Sequence, residues 1–239
     1  MAKQYSKLSD KLDVFYPVLP TVDDNLELRY SLRSLANMPH GKVFIYTSKP
    51  IKWLSNEVIQ VPAEILSSNK FCRVNKKIEL ACRNEQISEN FVLMNDDFFI
   101  LKPIKTLPYY ADANKPTLAA RSEGSNPLYG QQLKEAESCL MAAGKPCTNF
   151  EMHMPLVVNK AKMLSTIKLR PTNGARRSLY CNLNGCEPTL VNDCKLYDSL
   201  SLPDSNAAFC SSYMGSFYQD SPLQRWLEAE FSGKCIYEK

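Results

Sequence analysis

Short apolar runs rich in β-branched and aromatic residues alternate with stretches of helical hydrophobic period over the first hundred residues, and this alternation restricts the fold more than any other feature. Residues 12–18 (LDVFYPV) form the first run, with Pro17 in a place that a strand tolerates only at an end or edge. After the turn-like residues Pro20, Thr21, Val22, Asp23, Asp24 and Asn25, apolar side chains recur at Leu26, Leu28, Leu32 and Leu35. Carboxylates stand at the front of that run, the pattern of an N-capped amphipathic helix. Gly41 precedes a compact β-rich run, 42–47 (KVFIYT), and a shorter one, 58–61 (VIQV), stops before Pro62. The order strand, helix, strand, loop, strand predicts an α/β fold: a mostly parallel sheet with helices on both faces.

The chain has 239 residues, of which 44% are hydrophobic and 23% charged, ordinary globular values that leave room for one sizeable core. The expectation is one domain over residues 1–239. A net charge of +4 is too small an excess over this length to point to nucleic acid by electrostatics alone. No apolar run approaches the roughly 18 to 20 residues of a membrane span, and the polar start MAKQYSKLSDKLD lacks a secretory pattern, so the expected compartment is the cytoplasm. Nine cysteines occur without a CxxC pair and read as reduced thiols. The spacings of Cys181, Cys186 and Cys194 fit no common zinc module. Neither GxGxxG nor GxxxxGK[ST] is present, which argues against dinucleotide-binding dehydrogenases and P-loop enzymes.

Further along, residues 69–89 carry Phe71, Val74, Ile78, Leu80, Ala81 and Ile87 among lysines and arginines, a basic amphipathic helix. Residues 91–101 (FVLMNDDFFIL) follow, two apolar runs flanking Asn95, Asp96 and Asp97. A polar segment, a helix over about 129–143, the segment 149–159 (NFEMHMPLVVN), a loop-rich stretch and a last helix over 223–231 complete the chain. Two adjacent carboxylates at the end of a buried strand need a compensating partner, and in an open α/β sheet the crevice beyond the strand ends is where ligands bind. Oxygen ligands suit Mg²⁺ or Mn²⁺, metals that commonly bridge nucleotide phosphates. The plainer alternative is a turn joining two strands, which Asn and Asp also favour.

The run FVLMNDDFFILKP resembles the acidic motif of glycosyltransferases with the GT-A fold, and most closely that of the Stealth family of sugar-phosphate transferases. A second segment, DNLELRYSLRSL (24–35) followed by VFIYT (43–47), Pro50, Trp53 and Leu54, is similar to the same family's upstream pattern. The two cover roughly residues 12–103. The chain departs from the pattern where Asp13-Val14-Phe15-Tyr16 runs into Pro17-Val18-Leu19-Pro20 without the family's strand-end aspartate, and where the basic stretch around Lys70, Arg73, Lys76 and Lys77 replaces a histidine-containing acceptor segment. The resemblance implies a GT-A-like domain with a nucleotide-sugar-binding half (1–103) and an acceptor-binding half (104–239). It also implies a nucleotide-sugar donor, expected to be UDP-linked, with Mn²⁺ or Mg²⁺ as cofactor. Transfer would be to a hydroxyl on a glycan or on a modified base in DNA, with sugar-1-phosphate transfer onto a polysaccharide as the alternative.

On that implication Asp96, Asp97 and His153 are the expected catalytic residues and Asp97 and His153 the metal ligands, because metal-dependent GT-A enzymes add a later histidine to their acidic motif. Residue chemistry leaves His153 open as a ligand, a base or a satisfied core side chain, and His40 reads as an exposed turn residue. Arg29 and Arg33 share one helical face at i, i+4, and Arg73 and Lys76 share another at i, i+3. With Asn95, these four are the expected nucleotide-binding residues; surface salt bridging is their bland reading. Tyr213, Phe217, Tyr218, Trp226 and Tyr237 offer either an aromatic platform or core, and core is the simpler reading of Trp226. A nucleic-acid-binding role, with the helix from Lys70 to Arg83 following a phosphate backbone, and a binding module without catalysis are the competing functions.

Overall fold

The computed structural model describes residues 5–9, 11–19, 21, 25–213 and 216–239. The expected turn residues Pro20, Val22, Asp23 and Asp24 lie outside them. In chain order the elements are β1 (Tyr5–Lys7), β2 (Asp13–Pro17), α1 (Leu26–Ser34), β3 (Val43–Thr47), β4 (Val58–Pro62), α2 (Lys70–Arg83), β5 (Asn90–Leu93), β6 (Phe98–Ile100), β7 (Thr106–Asp112), α3 (Leu118–Ser122), α4 (Pro127–Ala142), β8 (Leu156–Asn159), α5 (Lys160–Leu169), α6 (Arg176–Leu183), β9 (Pro188–Val191), β10 (Phe209–Ser211) and α7 (Pro222–Glu230).

The central sheet has the order β4-β3-β2-β5-β8. The first four strands are parallel, and β8 closes the edge antiparallel to β5. Every residue of β2 and β3 is buried, as expected of parallel strands covered on both sides. Alternate side chains build two cores. Val14, Tyr16, Val43, Ile45 and Val92 face Leu28, Leu32 and Leu35 together with Phe98 and Ile100 of β6. Phe15, Phe44, Tyr46, Phe91 and Leu93 face Ile78, Ala81 and Cys82 of α2, Met163 and Ile167 of α5, and Tyr180 and Cys181 of α6. The α/β architecture read from the strand–helix alternation is therefore present, with helices on both faces. Two smaller sheets flank it: β1-β7-β9, and the antiparallel pair of β6 with β10.

Local chemistry sets the boundaries. Asn69 caps α2 by accepting from the backbone N–H groups of Phe71 and Cys72, and Asn126 caps α4 ahead of Pro127 at N1. The start of α1 differs from the capped helix expected there: Asn25 adopts a left-handed conformation with φ 57° and makes no side-chain cap. Its Nδ2 instead donates to Leu19 O at 3.0 Å, holding the helix to the end of β2. The helix read over 69–89 stops at Arg83, because 84–89 turn back into β5. The stretch 160–222, read as loop-rich, contains α5, α6, β9 and β10. Helix α6 escaped a hydrophobic-period reading because its buried positions include Arg177, Ser178 and Asn182. Likewise the polar segment after 101 contains β7 and α3.

Candidate active site at the strand switch point

Strand β2 sends its chain through α1 to β3 on one side, while β4 returns through α2 to β5 on the other. The crevice outside the carboxyl ends of β2 and β5 is thus a topological switch point, the place where open α/β sheets bind ligands. Leu19 follows β2 there, and Asn95, Asp96 and Asp97 follow β5. A cavity of about 360 Å³ occupies the crevice, with Leu19, Asn95, Asp97 and His153 in its lining. Two of the expected catalytic residues, distant in sequence, therefore share one wall.

Each is held by a partner that sequence reading did not single out. Asp97 Oδ2 accepts from Lys195 Nζ at 3.1 Å and from Ser211 Oγ at 3.3 Å. The Asp97 carbonyl accepts from the backbone N–H of Ser212, which follows β10. His153 Nδ1 lies 2.6 Å from Asp193 Oδ2, and the His153 backbone N–H donates to Asp193 Oδ1 at 3.0 Å. Burial pushes the Asp193 carboxyl upward, but the His153 ring and N–H outweigh it and hold the group below its usual range. In the tautomer whose Nδ1–H donates to Asp193, the ring presents its lone pair at Nε2. The edge of Phe98 against the imidazole, with centroids 6.3 Å apart, fixes the ring further.

Asp96 differs from its neighbour. It is absent from the cavity lining, and burial, followed by the charge of Asp97, pushes its carboxyl up to about 7. Lys195 and then Lys77 of α2 are the cations that offset this; Lys77 is buried, donates to Val18 O at 2.5 Å, and is pushed down to about 8, mainly by burial.

The remaining wall is cationic. Lys70, Arg121, Arg176, Arg177 and Lys195 line the cavity against Asp97 and Glu151. Glu151 is engaged within the protein: its carboxylate accepts from Ser178 N at 2.8 Å in the first turn of α6 and from the Tyr129 hydroxyl at 3.2 Å. Arg177 Nη1 donates to Met154 O at 2.6 Å, and the guanidinium lies 5.2 Å from the Phe98 ring centroid. Arg121 Nε, Arg176 Nε and Arg177 Nη2 are buried without a hydrogen-bond partner, three such atoms on the walls of one cavity. Orphaned guanidinium nitrogens are costly unless an anion completes them.

Of the residues expected to bind nucleotide, Asn95 lines this cavity. Arg73 lines a neighbouring one of about 160 Å³ with Leu19, Ala63 and Lys77. Lys76 is paired with Glu79 on the surface of α2. Arg29 and Arg33 lie elsewhere: Arg33 Nε and Nη2 make a bidentate pair with the buried Glu238 at 2.7 and 2.9 Å, and Arg29 Nη1 adds a third contact at 3.2 Å. Arg29 also packs over Trp53 at 4.3 Å. His40, read as an exposed turn residue, is half-buried and bridges Met38 O and the Tyr237 hydroxyl. Of the aromatic group near residue 213, Tyr213 lines the cavity while Trp226 packs on the core of α7. The basic helix α2 does not present a row of cations, because Lys77 is buried, Lys76 and Arg83 flank Glu79, and Lys70 and Arg73 line different cavities.

Among the described residues no three His, Cys, Asp or Glu side chains converge to hold a metal ion, and no helix is long and apolar enough to cross a membrane. No family model and no curated protein matches the chain. Among solved structures it is similar to the glycosyltransferase GlyE of Streptococcus pneumoniae TIGR4, at 10% identity and a TM-score of 0.45, covering 93% of this chain and 61% of that one. The apo form of the same glycosyltransferase gives 11% identity and a TM-score of 0.47, covering 95% and 61%. The chain thus spans about 61% of the length of the structures it is similar to.

Proposed function

We propose that the chain transfers a glycosyl group from a nucleotide-activated sugar to a hydroxyl acceptor. The supporting observation is one cavity at the switch point that combines Asp97, an Asp193-oriented His153 and guanidinium groups whose buried nitrogens lack partners. In this reaction the bond from the anomeric carbon to the donor's phosphate oxygen breaks, and a bond from that carbon to the acceptor oxygen forms. The acceptor's proton must leave, and charge develops on the departing phosphate. Arg176, Arg177 and Lys195, which line the cavity, offset that charge from fixed positions. Asn95 and Lys70 stand at the same wall for contacts to the donor.

The donor set suits a divalent cation in part. Asp97 and His153 Nε2 supply two ligands, and a hard cation of this kind ordinarily takes phosphate oxygens for several others. In this reading Asp97 and His153 hold Mn²⁺ or Mg²⁺, which when bound supplies Lewis-acid stabilisation of the leaving group. Nε2 has a single lone pair, so His153 would serve either as a ligand to the cation or as the base that takes the acceptor's proton, and Asp193 orients the ring for either task.

The test is donor turnover across a panel of nucleotide sugars with Mn²⁺ or Mg²⁺, followed by release of the nucleoside diphosphate. Asp97→Asn is expected to lower turnover at least about a hundredfold, the scale of losing one electrostatic group at a reacting centre, with an unchanged circular dichroism spectrum. Full activity in a folded Asp97→Asn protein would sink the proposal.

A further inference from the structure

A second cavity, of about 600 Å³, opens beside the switch-point cavity. The two share Arg121, Asn126, Tyr129, Lys195, Tyr197 and Tyr213, so they adjoin at that wall. Asp112, Lys115 and Asp193 belong to the larger one alone.

The charges in it are unequally available. Asp112 is buried, and its Oδ1 accepts from the backbone N–H groups of Asn114 and Lys115 at 2.9 and 3.2 Å. Both oxygens of Asp193 are held by His153. The cavity's carboxylates are thus engaged inside the protein. Its cations are not matched in the same way: Lys115 Nζ reaches the carbonyl of Glu123 at 3.3 Å, a neutral partner, and no carboxylate lies within ion-pair distance of Lys115 or Arg121 among the described residues. Arg121 Nε is buried without a partner, while another part of the guanidinium meets the Tyr197 hydroxyl. Asp193 acts on Arg121 by its charge without pairing with it, so Lys115 and Arg121 stand at this wall with no direct carboxylate contact among the described residues.

The same wall carries an aromatic surface. Tyr197 and Tyr213 lie with ring centroids 5.5 Å apart, and they are 55% and 44% exposed, unusual for two tyrosines in contact at a cavity wall. Lys195, which holds Asp97, sits 5.8 Å from the Tyr213 ring centroid. A pyranose ring has apolar C–H faces that pack on aromatic rings, and a volume of this size accommodates a ligand of about one or two rings.

We propose that this second cavity is the acceptor site and that it takes a sugar bearing an anionic group, phosphate or carboxylate. The ring packs against Tyr197 and Tyr213, and the anion is received by Lys115 and Arg121. The word acceptor rests on the glycosyl-transfer reading; the selection of an anionic sugar does not.

The test uses the full chain and isothermal titration with methyl hexopyranosides, their 6-phosphates and the corresponding methyl uronides, with inorganic phosphate as a competitor. The anionic sugars are expected to bind at least about tenfold tighter than the neutral ones, the effect of one charge-assisted contact. Lys115→Glu is expected to erase that preference, and Tyr213→Ala to weaken both classes about equally. The ratio of phosphate to uronide affinity identifies which anion the site was built for. Equal affinity for neutral and anionic sugars, or an anionic preference that survives in a folded Lys115→Glu protein, would overturn the inference. Tight, steeply salt-dependent binding of a single-stranded oligonucleotide, exceeding every sugar, would overturn it in favour of nucleic acid. Donor turnover is followed in parallel, so that anionic-sugar binding without any donor turnover counts against glycosyl transfer and leaves this site standing.

Discussion

Asp96 and Asp97 are neighbours in sequence with opposite surroundings. Asp97 reaches the cavity and is balanced by Lys195 and Ser211. Asp96 is pushed from 3.8 to about 7 by burial and then by the charge of Asp97. The folded protein therefore holds a proton that the unfolded chain has released between these two values. The stability this group contributes is complete at low pH and is lost as pH rises through about 7. Asp96→Asn removes the dependence. In the absence of divalent cations the difference between variant and parent should be smallest near pH 3.8, grow in the variant's favour as pH rises to about 7, and stay level to pH 8, at about 2 to 4 °C per kcal/mol for a chain of this size. Melting curves across this range check this; a parent that gains on the variant as pH rises would show that the carboxylate is stabilised by its surroundings.

At the scale of elements, the position of the arginine wall depends on the loop before α6. Asn75 of α2 donates to Pro171 O at 3.0 Å and Asn173 O at 2.9 Å, and Asn173 Nδ2 donates to the carbonyl of Gln132 in α4. The Gln132 side chain accepts from Gly174 N at 2.7 Å. Loop 171–175 is thus wedged between α2 and α4, and its direction sets where Arg176 and Arg177 enter the cavity. Gly174 has no room for a side chain: an added Cβ would lie 2.6 Å from Phe71 Cδ1 and 2.6 Å from Gln132 Oε1. Gly174→Ala should therefore displace the loop, costing about 1 to 3 kcal/mol as an overpacked core site does. Turnover should fall with it, read as a rise in the KM for the donor in a protein whose circular dichroism is unchanged. An unaltered KM would mean that the loop does not position the arginines.

At the scale of the whole molecule, the upstream segment that resembles the family pattern closes the structure rather than lining the cavity. Arg29 and Arg33 of α1 hold Glu238, Leu54 bridges Glu238, and the backbone N–H of Lys239 donates to Trp53 O. Residues 235–239 are thereby bound to elements nearly two hundred positions earlier. Burial pushes the Glu238 carboxyl upward, but the hydrogen bonds from Arg33 outweigh it and hold the group below its usual value. Its contribution is therefore present above the unfolded value near 4.5 and fades as pH falls. Arg33→Ala leaves this buried carboxylate without its bidentate partner and should lower stability by about 3 kcal/mol at neutral pH, less at pH 4. The KM for the donor should stay the same, because neither Arg33 nor Glu238 lines the switch-point cavity. Denaturant melts and donor kinetics on the one variant separate the two roles.

Sequence by itself determined the central α/β unit, because the period of its apolar residues dictates which element each segment forms. Phe15 and Tyr16, Phe44 and Ile45 must face opposite ways in a strand, and Leu28, Leu32 and Leu35 must share a helical face. Asn95, Asp97 and His153, polar residues that stand out inside apolar runs, all line the one cavity, while Asp96 lies outside its lining. The partners of those residues were decided by tertiary structure alone. Asp193 and Lys195 sit in a stretch without period, and Arg121 of α3 and Arg176 and Arg177 of α6 look like surface cations until the fold brings the two helices to one cavity. The i, i+4 spacing of Arg29 and Arg33 fixed a shared face but not what faced it; Glu238, more than two hundred residues away, occupies that place. Local periodicity is written in neighbouring residues, whereas the pairing of charges in a cavity depends on which distant segments the sheet brings to its carboxyl edge.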